Sequence, residues 1–227
     1  MDKANQNEPN TVDEILRQIE EKADTGEYLY RGEPEHYQEH PYYGKISSNL
    51  YRVFLEHEAF DVEADLDIEA VQASMLEETE EYFRKPVSEM ERLSEIQHYG
   101  GKTNLIDFTT DYLIALFFAC SGSRSKVKEG RVILQEKSQI ASEDIERPYE
   151  PVHRVVAQKS VFVRPPRGFI APDEVDVINI PAAVKQPMLT HLHRYHDISV
   201  KTIYNDLHGF IRNQNVHLEA YVEFYMS

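Results

Sequence analysis

Gln97-His98-Tyr99-Gly100-Gly101-Lys102-Thr103-Asn104-Leu105-Ile106-Asp107-Phe108-Thr109-Thr110-Asp111, running into Tyr112 to Cys120, places a helix end, a glycine turn, a strand and a second helix within 24 residues. Ser88 to His98 has Met90, Leu93 and Ile96 at helical spacing, and Gly100-Gly101 stops it. Asn104 to Phe108 reads as a strand, with Asp107 alternating against Ile106 and Phe108. From about Asp111 to Cys120 the chain is apolar nearly all round, through Tyr112, Ile114, Ala115, Leu116, Phe117, Phe118 and Ala119, which predicts a buried helix.

Outward from this stretch, helices dominate the first half and strands the second. Thr11 to Ala23 is an expected helix, with Val12, Ile15, Leu16 and Ile19 on one stripe and a capping box at Thr11 and Glu14. Tyr28 to Gly32 reads as a short strand, and Glu33 to Gly44, holding Pro34 and Pro41, as a loop. Leu50 to His57 and Glu69 to Phe83 are expected helices. Arg131 to Glu136, His153 to Val163, Val175 to Ile180 and Val216 to Tyr225 are expected strands. Val184 to His193 reads as helical despite Pro187, Ser199 to Asn205 as extended or turning, and Leu207 to Asn213 as a helix. Strands and helices do not alternate regularly enough for a doubly wound sheet. The expectation is an α+β fold, its helix-rich N-terminal half packed on a mixed or antiparallel sheet formed largely by the C-terminal half. Residues 1–27 read as a polar tail and an N-terminal helix, and 28–227 as one domain.

Length and composition bound the function. A chain of 227 residues with 14 Tyr and 10 Phe has enough apolar material for a core. Forty acids against 24 bases give a formal charge of -16, which disfavours gripping duplex nucleic acid but leaves room for a nucleotide in a local pocket. The single cysteine, Cys120, excludes an internal disulfide and a cysteine-rich zinc site, and its apolar helix marks it as an inert buried thiol. No apolar run approaches the ~20 residues of a membrane span, and the acidic start is unlike a signal peptide, so a cytoplasmic protein without membrane contact is expected. Residues 56–95 carry 14 acids and 3 bases. They read as a solvated face or as a surface for a basic protein partner.

Three stretches carry candidate chemistry. In Tyr30-Arg31-Gly32 a guanidinium closes an aromatic strand beside glycine, suited to a phosphate or carboxylate; the alternative is a structural ion pair. In the quoted stretch, His98 before Tyr99 could be an acid–base group, a stacking group or a helix end. Asp107 and Thr109 lie at the strand-to-helix junction, where Thr110 or Asp111 caps the helix. In His153 to Phe162, period two puts Arg154, Val156 and Gln158 on one face. His191, His193, His196 and Asp197 lack a familiar metal-ligand spacing, so no metal is expected. The chain has no Walker or Rossmann glycine loop.

Tyr30-Arg31-Gly32, Ser47-Ser48-Asn49-Leu50-Tyr51-Arg52, Gln97-His98-Tyr99-Gly100, Asp107-Phe108-Thr109 and Ala115-Leu116-Phe117-Phe118-Ala119 together resemble the FRG domain family. Arg154 to Phe162 and Ile203 to Gly209 fit its C-terminal half, so the resemblance runs from about Tyr28 to Phe210. Where the family usually has Thr-Arg-Leu-Leu-Asp-Trp-Thr, this chain has Thr103-Asn104-Leu105-Ile106-Asp107-Phe108-Thr109, losing a cation at Asn104. The resemblance implies a toxin or effector context in bacterial phage defence.

The order of Arg31, Thr109 and Gln158 is also similar to that of ADP-ribosyltransferases, which place an Arg or His on an early strand, a Ser, Thr or Tyr before a helix, and a Glu or Gln on a later strand. This likeness implies NAD as cofactor, with Arg31, His98, Asp107, Thr109 and Gln158 as catalytic residues and Tyr30, Arg31, Gly32, Tyr99 and Arg154 as cofactor-binding ones. Arg31, His98, Asp107, Arg154 and Gln158 are expected to line one pocket. Gln158 has no charge to oppose the cationic transition state, so Asp107 or Glu223 would supply it. The alternative is a non-catalytic module that binds a nucleotide or a protein.

Overall fold

The computed structural model describes residues 11–36, 45–56, 66–83, 86–121, 128–142, 145–146 and 156–212, with 214 and 218. Helix α1 (Val12–Ala23) starts where the Thr11 side chain accepts the Glu14 amide, and it buries Ile15 and Ile19. Strands β1 (Tyr28–Glu33) and β2 (Ile46–Ser47) follow, then helices α2 (Asn49–Leu55), α3 (Ile68–Thr79) and α4 (Glu89–His98). β3 (Ile106–Thr109) leads into α5 (Tyr112–Cys120). Next come β4 (Gly130–Glu136), β5 (Ile145–Glu146), β6 (Ser160–Val163), β7 (Phe169–Ile170) and β8 (Asp176–Ile180). Helices α6 (Ala182–His196), α7 (Val200–Ile203) and α8 (Leu207–Arg212) complete the set.

The six-stranded sheet has the order β5-β6-β3-β1-β4-β8, and β2 pairs with β7 apart from it. Among the described residues every pairing is antiparallel, so the expected α+β fold is present with an antiparallel sheet. The two central strands, β3 and β1, come from the N-terminal half and the other four from the C-terminal half.

Strand alternation splits β1 between two layers. Tyr30 belongs to the larger core with Ile15 and Ile19 of α1, Leu116 and Phe117 of α5, Val132 and Leu134 of β4, and Met188 of α6. Leu29 points the other way, into a core with Ile46, Ile106, Phe108, Ile133, Val161 and Ile170. Gly32 lies on the helix side, where an added Cβ would come within 1.9 Å of the Ala115 carbonyl oxygen. Only glycine lets α5 seat this closely on β1. Leu76 of α3, Leu93 of α4, Leu105 and Phe162 form a further cluster that ties the acidic helices to the β3–β6 side. Burying each such side chain contributes roughly 1.5–3 kcal/mol.

Several expectations are corrected. Of the strand expected over His153 to Val163, residues 156–159 turn and Ser160 to Val163 are extended, because Lys159 takes a left-handed conformation (φ 45°) and its amide turns back to Val156 O. Gln158 is therefore in a turn, and the face it was expected to share with Val156 does not exist. Residues 151–155, Arg154 among them, lie outside the described residues. Ser199 caps α7 where an extended or turning segment was expected. Of the strand expected over Val216 to Tyr225, Leu218 is helical and the rest lies outside the described residues. Within the acidic segment 56–95, residues 57–65 and 84–85 lie outside them too. No helix among the described residues is long and apolar enough to cross a membrane.

Candidate active site at the seam between β1 and β3

β1 and β3 share a single register pair, Tyr30 with Thr109. Beyond it a side chain continues the connection: Arg31 Nη1 donates to the Asp107 carbonyl oxygen at 2.8 Å. The guanidinium occupies the place of a ladder amide and joins the two central strands. Arg31 Nε also donates to Glu33 Oε1 at 3.0 Å. From β4, Arg131 donates to Glu33 Oε2 through Nε at 2.9 Å and Nη2 at 2.7 Å. Register explains the trio, since Arg31 and Glu33 are two apart on β1 and Arg131 is the cross-strand partner of Glu33. The side chains of Glu33, Arg131 and Arg31 are 6%, 8% and 19% exposed.

Burial would raise the Glu33 pKa, but the charges of Arg31 and Arg131 and their hydrogen bonds outweigh it and hold the carboxyl below its ordinary value. Asp107 behaves in the opposite way. It is exposed on β3, yet neighbouring protein strips water from its carboxyl and raises its pKa. Arg31 and the Gln97 side chain partly counter this rise. Gln97 itself accepts a short hydrogen bond from Thr103 Oγ1, and its Nε2 is buried with no partner inside hydrogen-bond distance. The Gln97 amide is therefore fixed at one end and available to Asp107 at the other.

His98 closes α4, and Gly100 (φ 90°) turns the chain away, with amides 100 and 101 returning to Gln97 O and Ile96 O. His98 Nε2 is 4.0 Å from Asp206 Oδ2, and its ring meets the 69% exposed Tyr99 edge-on at 5.5 Å. Gln158 Nε2 donates to Ile203 O at 3.3 Å. Segment 203–206 thus receives both His98 and Gln158. Ile203 packs in the larger core, on the helix side of the sheet, whereas Arg31 leaves β1 on the other side with Leu29. Arg31 meets the carbonyl of Asp107, whose side chain, alternating with Ile106 and Phe108, leaves β3 on the side of Tyr30 and Thr109; His98 and Gln158 reach one segment, and Gln158 and Arg31 stand on different sides of the sheet.

Thr109 is buried, and its Oγ1 accepts the Asp111 amide at 3.1 Å. Of the two candidate caps, Asp111 is the one used, its side chain accepting the Leu113 amide. Tyr30 is 3% exposed and meets Tyr112 edge-on, so with Gly32 it packs in the core. Glu223 lies outside the described residues. Glu33 and Arg131 were not among the candidates, because the strand was expected to end at Gly32. Their signal was the alternation of Arg31 with Glu33. A surface groove lined by Asp13, Pro187, His191, Arg194 and Tyr195 includes none of the candidate residues.

An antiparallel α+β domain, with polar side chains gathered at the seam of its two central strands, is the class that fold and site define. The family model of the FRG domain matches residues 26–128 of the chain. That span holds β1 to β3 and α2 to α5, hence Arg31, Glu33, His98 and Asp107, and ends before Arg131 and Gln158. Neither the curated proteins nor the solved structures gave a match.

Proposed function

We propose that the domain is a nucleotide-using enzyme of the ADP-ribosyl-transfer type, with NAD as donor and Asp107 as the carboxylate that opposes the charge of the transition state. The supporting observation is that Asp107 is an exposed carboxylate whose own carbonyl is held by Arg31, with the Gln97 amide beside it. Breaking the bond from ribose C1′ to nicotinamide sends the electron pair to nicotinamide and leaves positive charge on the ribose. A fixed carboxylate stabilises that charge most where water is partly displaced. The acceptor's nucleophilic atom then bonds to C1′ and loses its proton to solvent or to a neighbouring base. His98, 4.0 Å from Asp206, would take that proton, and the exposed ring of Tyr99 would stack on the ligand. Thr109 braces the turn into α5. A toxin or defence effector is the role this chemistry would serve. The test is to incubate the full chain with NAD and measure free nicotinamide; release above the uncatalysed rate supports the reading, and none at enzyme-equivalent concentration rejects it.

A second reading, a binding module without chemistry, is favoured by a different observation. Arg31 already engages Glu33 and Asp107 O, and Gln158 already engages Ile203 O, so neither is idle in the way a cofactor clamp would be. NAD binding by calorimetry without nicotinamide release would favour it.

A further inference from the structure

Arg31, Glu33 and Arg131 form a linear chain of charge-assisted hydrogen bonds, in the order Arg131, Glu33, Arg31, that ends on the Asp107 carbonyl. Arg131 does not touch Asp107 in any hydrogen bond or ion pair, and it lies outside the matched FRG segment. Its fork grips one oxygen of Glu33, which leaves the other to fix Arg31 Nε. With Nε fixed, Arg31 has one orientation in which Nη1 meets the carbonyl of residue 107. A planar guanidinium anchored at two points cannot swing, as a lysine ammonium could.

We propose that Arg131 and Glu33 are positioning residues for Asp107, acting through Arg31 to fix the carbonyl of residue 107 and the field at its carboxylate. The inference rests on the reading of Asp107 as the acid group of the site. Two of the three charges are nine-tenths buried and one faces the seam, so they act on each other with little screening. Removing the Glu33 charge exposes Asp107 to the full effect of both cations. Removing Arg131 leaves Glu33 to neutralise Arg31 alone. The two changes therefore move the proton affinity of Asp107 in opposite directions, down for Glu33→Gln and up for Arg131→Met. The groups acting on the Asp107 carboxyl are the charge of Arg31, held at the carbonyl of the same residue, and the uncharged Gln97 from α4, while its partner across the strand, Phe162 of β6, carries no charge.

The test uses the labelled full chain and nuclear magnetic resonance. The Asp107 carboxyl carbon is followed through pH and assigned by its loss in Asp107→Asn. The Nε–H signal of Arg131 is followed in the same samples. The expected result is an inflection of the Arg131 signal at the Asp107 midpoint, absent in Asp107→Asn. An Arg131 signal unmoved through that midpoint overturns the proposal. This arm needs only a substitution at an exposed site, so it does not depend on the buried variants folding. Where Glu33→Gln and Arg131→Met do fold, midpoints shifted in the same direction, or unshifted, overturn it as well. The readout requires no turnover. A chain that releases no nicotinamide but shows the coupled inflection would fail the proposed reaction and keep the relay.

Discussion

Arg31 and Asp107 are joined through the main chain of one and the side chain of the other, Nη1 to carbonyl oxygen at 2.8 Å, at the point where the β1–β3 ladder has only one register pair. The arginine of the family motif is thus first a clasp between central strands. Its second anchor, Glu33, makes it one member of a buried trio.

Removal of Glu33 strands two arginines in a nearly dry layer. Glu33→Ala is expected to cost about 3–5 kcal/mol. Arg31→Ala is expected to cost less, because Glu33 keeps Arg131 and Asp107 O is at an open seam. Chemical denaturation of the two variants gives the order directly, and an Arg31→Ala cost equal to or above that of Glu33→Ala would refute it.

The two carboxyls give opposite pH dependence. The folded pKa of Glu33 lies below its unfolded value of 4.5, so its contribution is complete above that value and is lost as pH falls through the lower folded pKa. The folded pKa of Asp107 lies above its unfolded value of 3.8, so protonating it favours the fold. Asp107→Asn should therefore stabilise the protein at neutral pH and lose that advantage on acidification. Melting temperatures of the wild type and the two variants, Glu33→Gln and Asp107→Asn, across pH 3–7 check both signs.

Gly32→Ala should destabilise strongly, because the new methyl meets the backbone of α5 at Ala115 O and Ala119 N rather than a movable side chain. Overpacking costs about 1–3 kcal/mol, and more where backbone must shift. A melting temperature within a degree of wild type would show that α5 seats less tightly on β1 than described.

If Asp107 acts as an ionised group, the acid limb of the pH–rate profile lies above the ordinary range of an aspartate. Arg31 and Gln97 both hold that pKa down, so Gln97→Leu should move the limb to higher pH. A limb that stays in place would remove Gln97 from the site.

The buried helix α5, the strand holding Asp107 and the helix with the Thr11 cap were legible because period and punctuation agreed there. The two-residue strands β2, β5 and β7 are too short to show a period at all. Gln158 was misplaced because alternating polar residues suggested a strand, whereas Lys159 adopts a left-handed turn that its residue type does not announce. Glu33 was missed because Gly32 reads as a strand end. In the fold that glycine serves a close approach inside the strand, and β1 continues to the residue that fixes Arg31. Asn104, where the family usually has arginine, is fully buried and donates to Glu69 and Pro165 O. Arg164 supplies a cation at Glu69 instead.

Nicotinamide release from NAD by the wild type and by Asp107→Asn, measured beside their melting temperatures, decides whether Asp107 is the acid group of the site. Removing the carboxylate is expected to lower the rate by ~100-fold or more, in line with the loss of one preorganised electrostatic group. The melting temperature should be unchanged or higher, since Asp107 is exposed and its charge is disfavoured where it sits. Full activity in Asp107→Asn, or a loss of activity that only follows a loss of fold, would contradict the account.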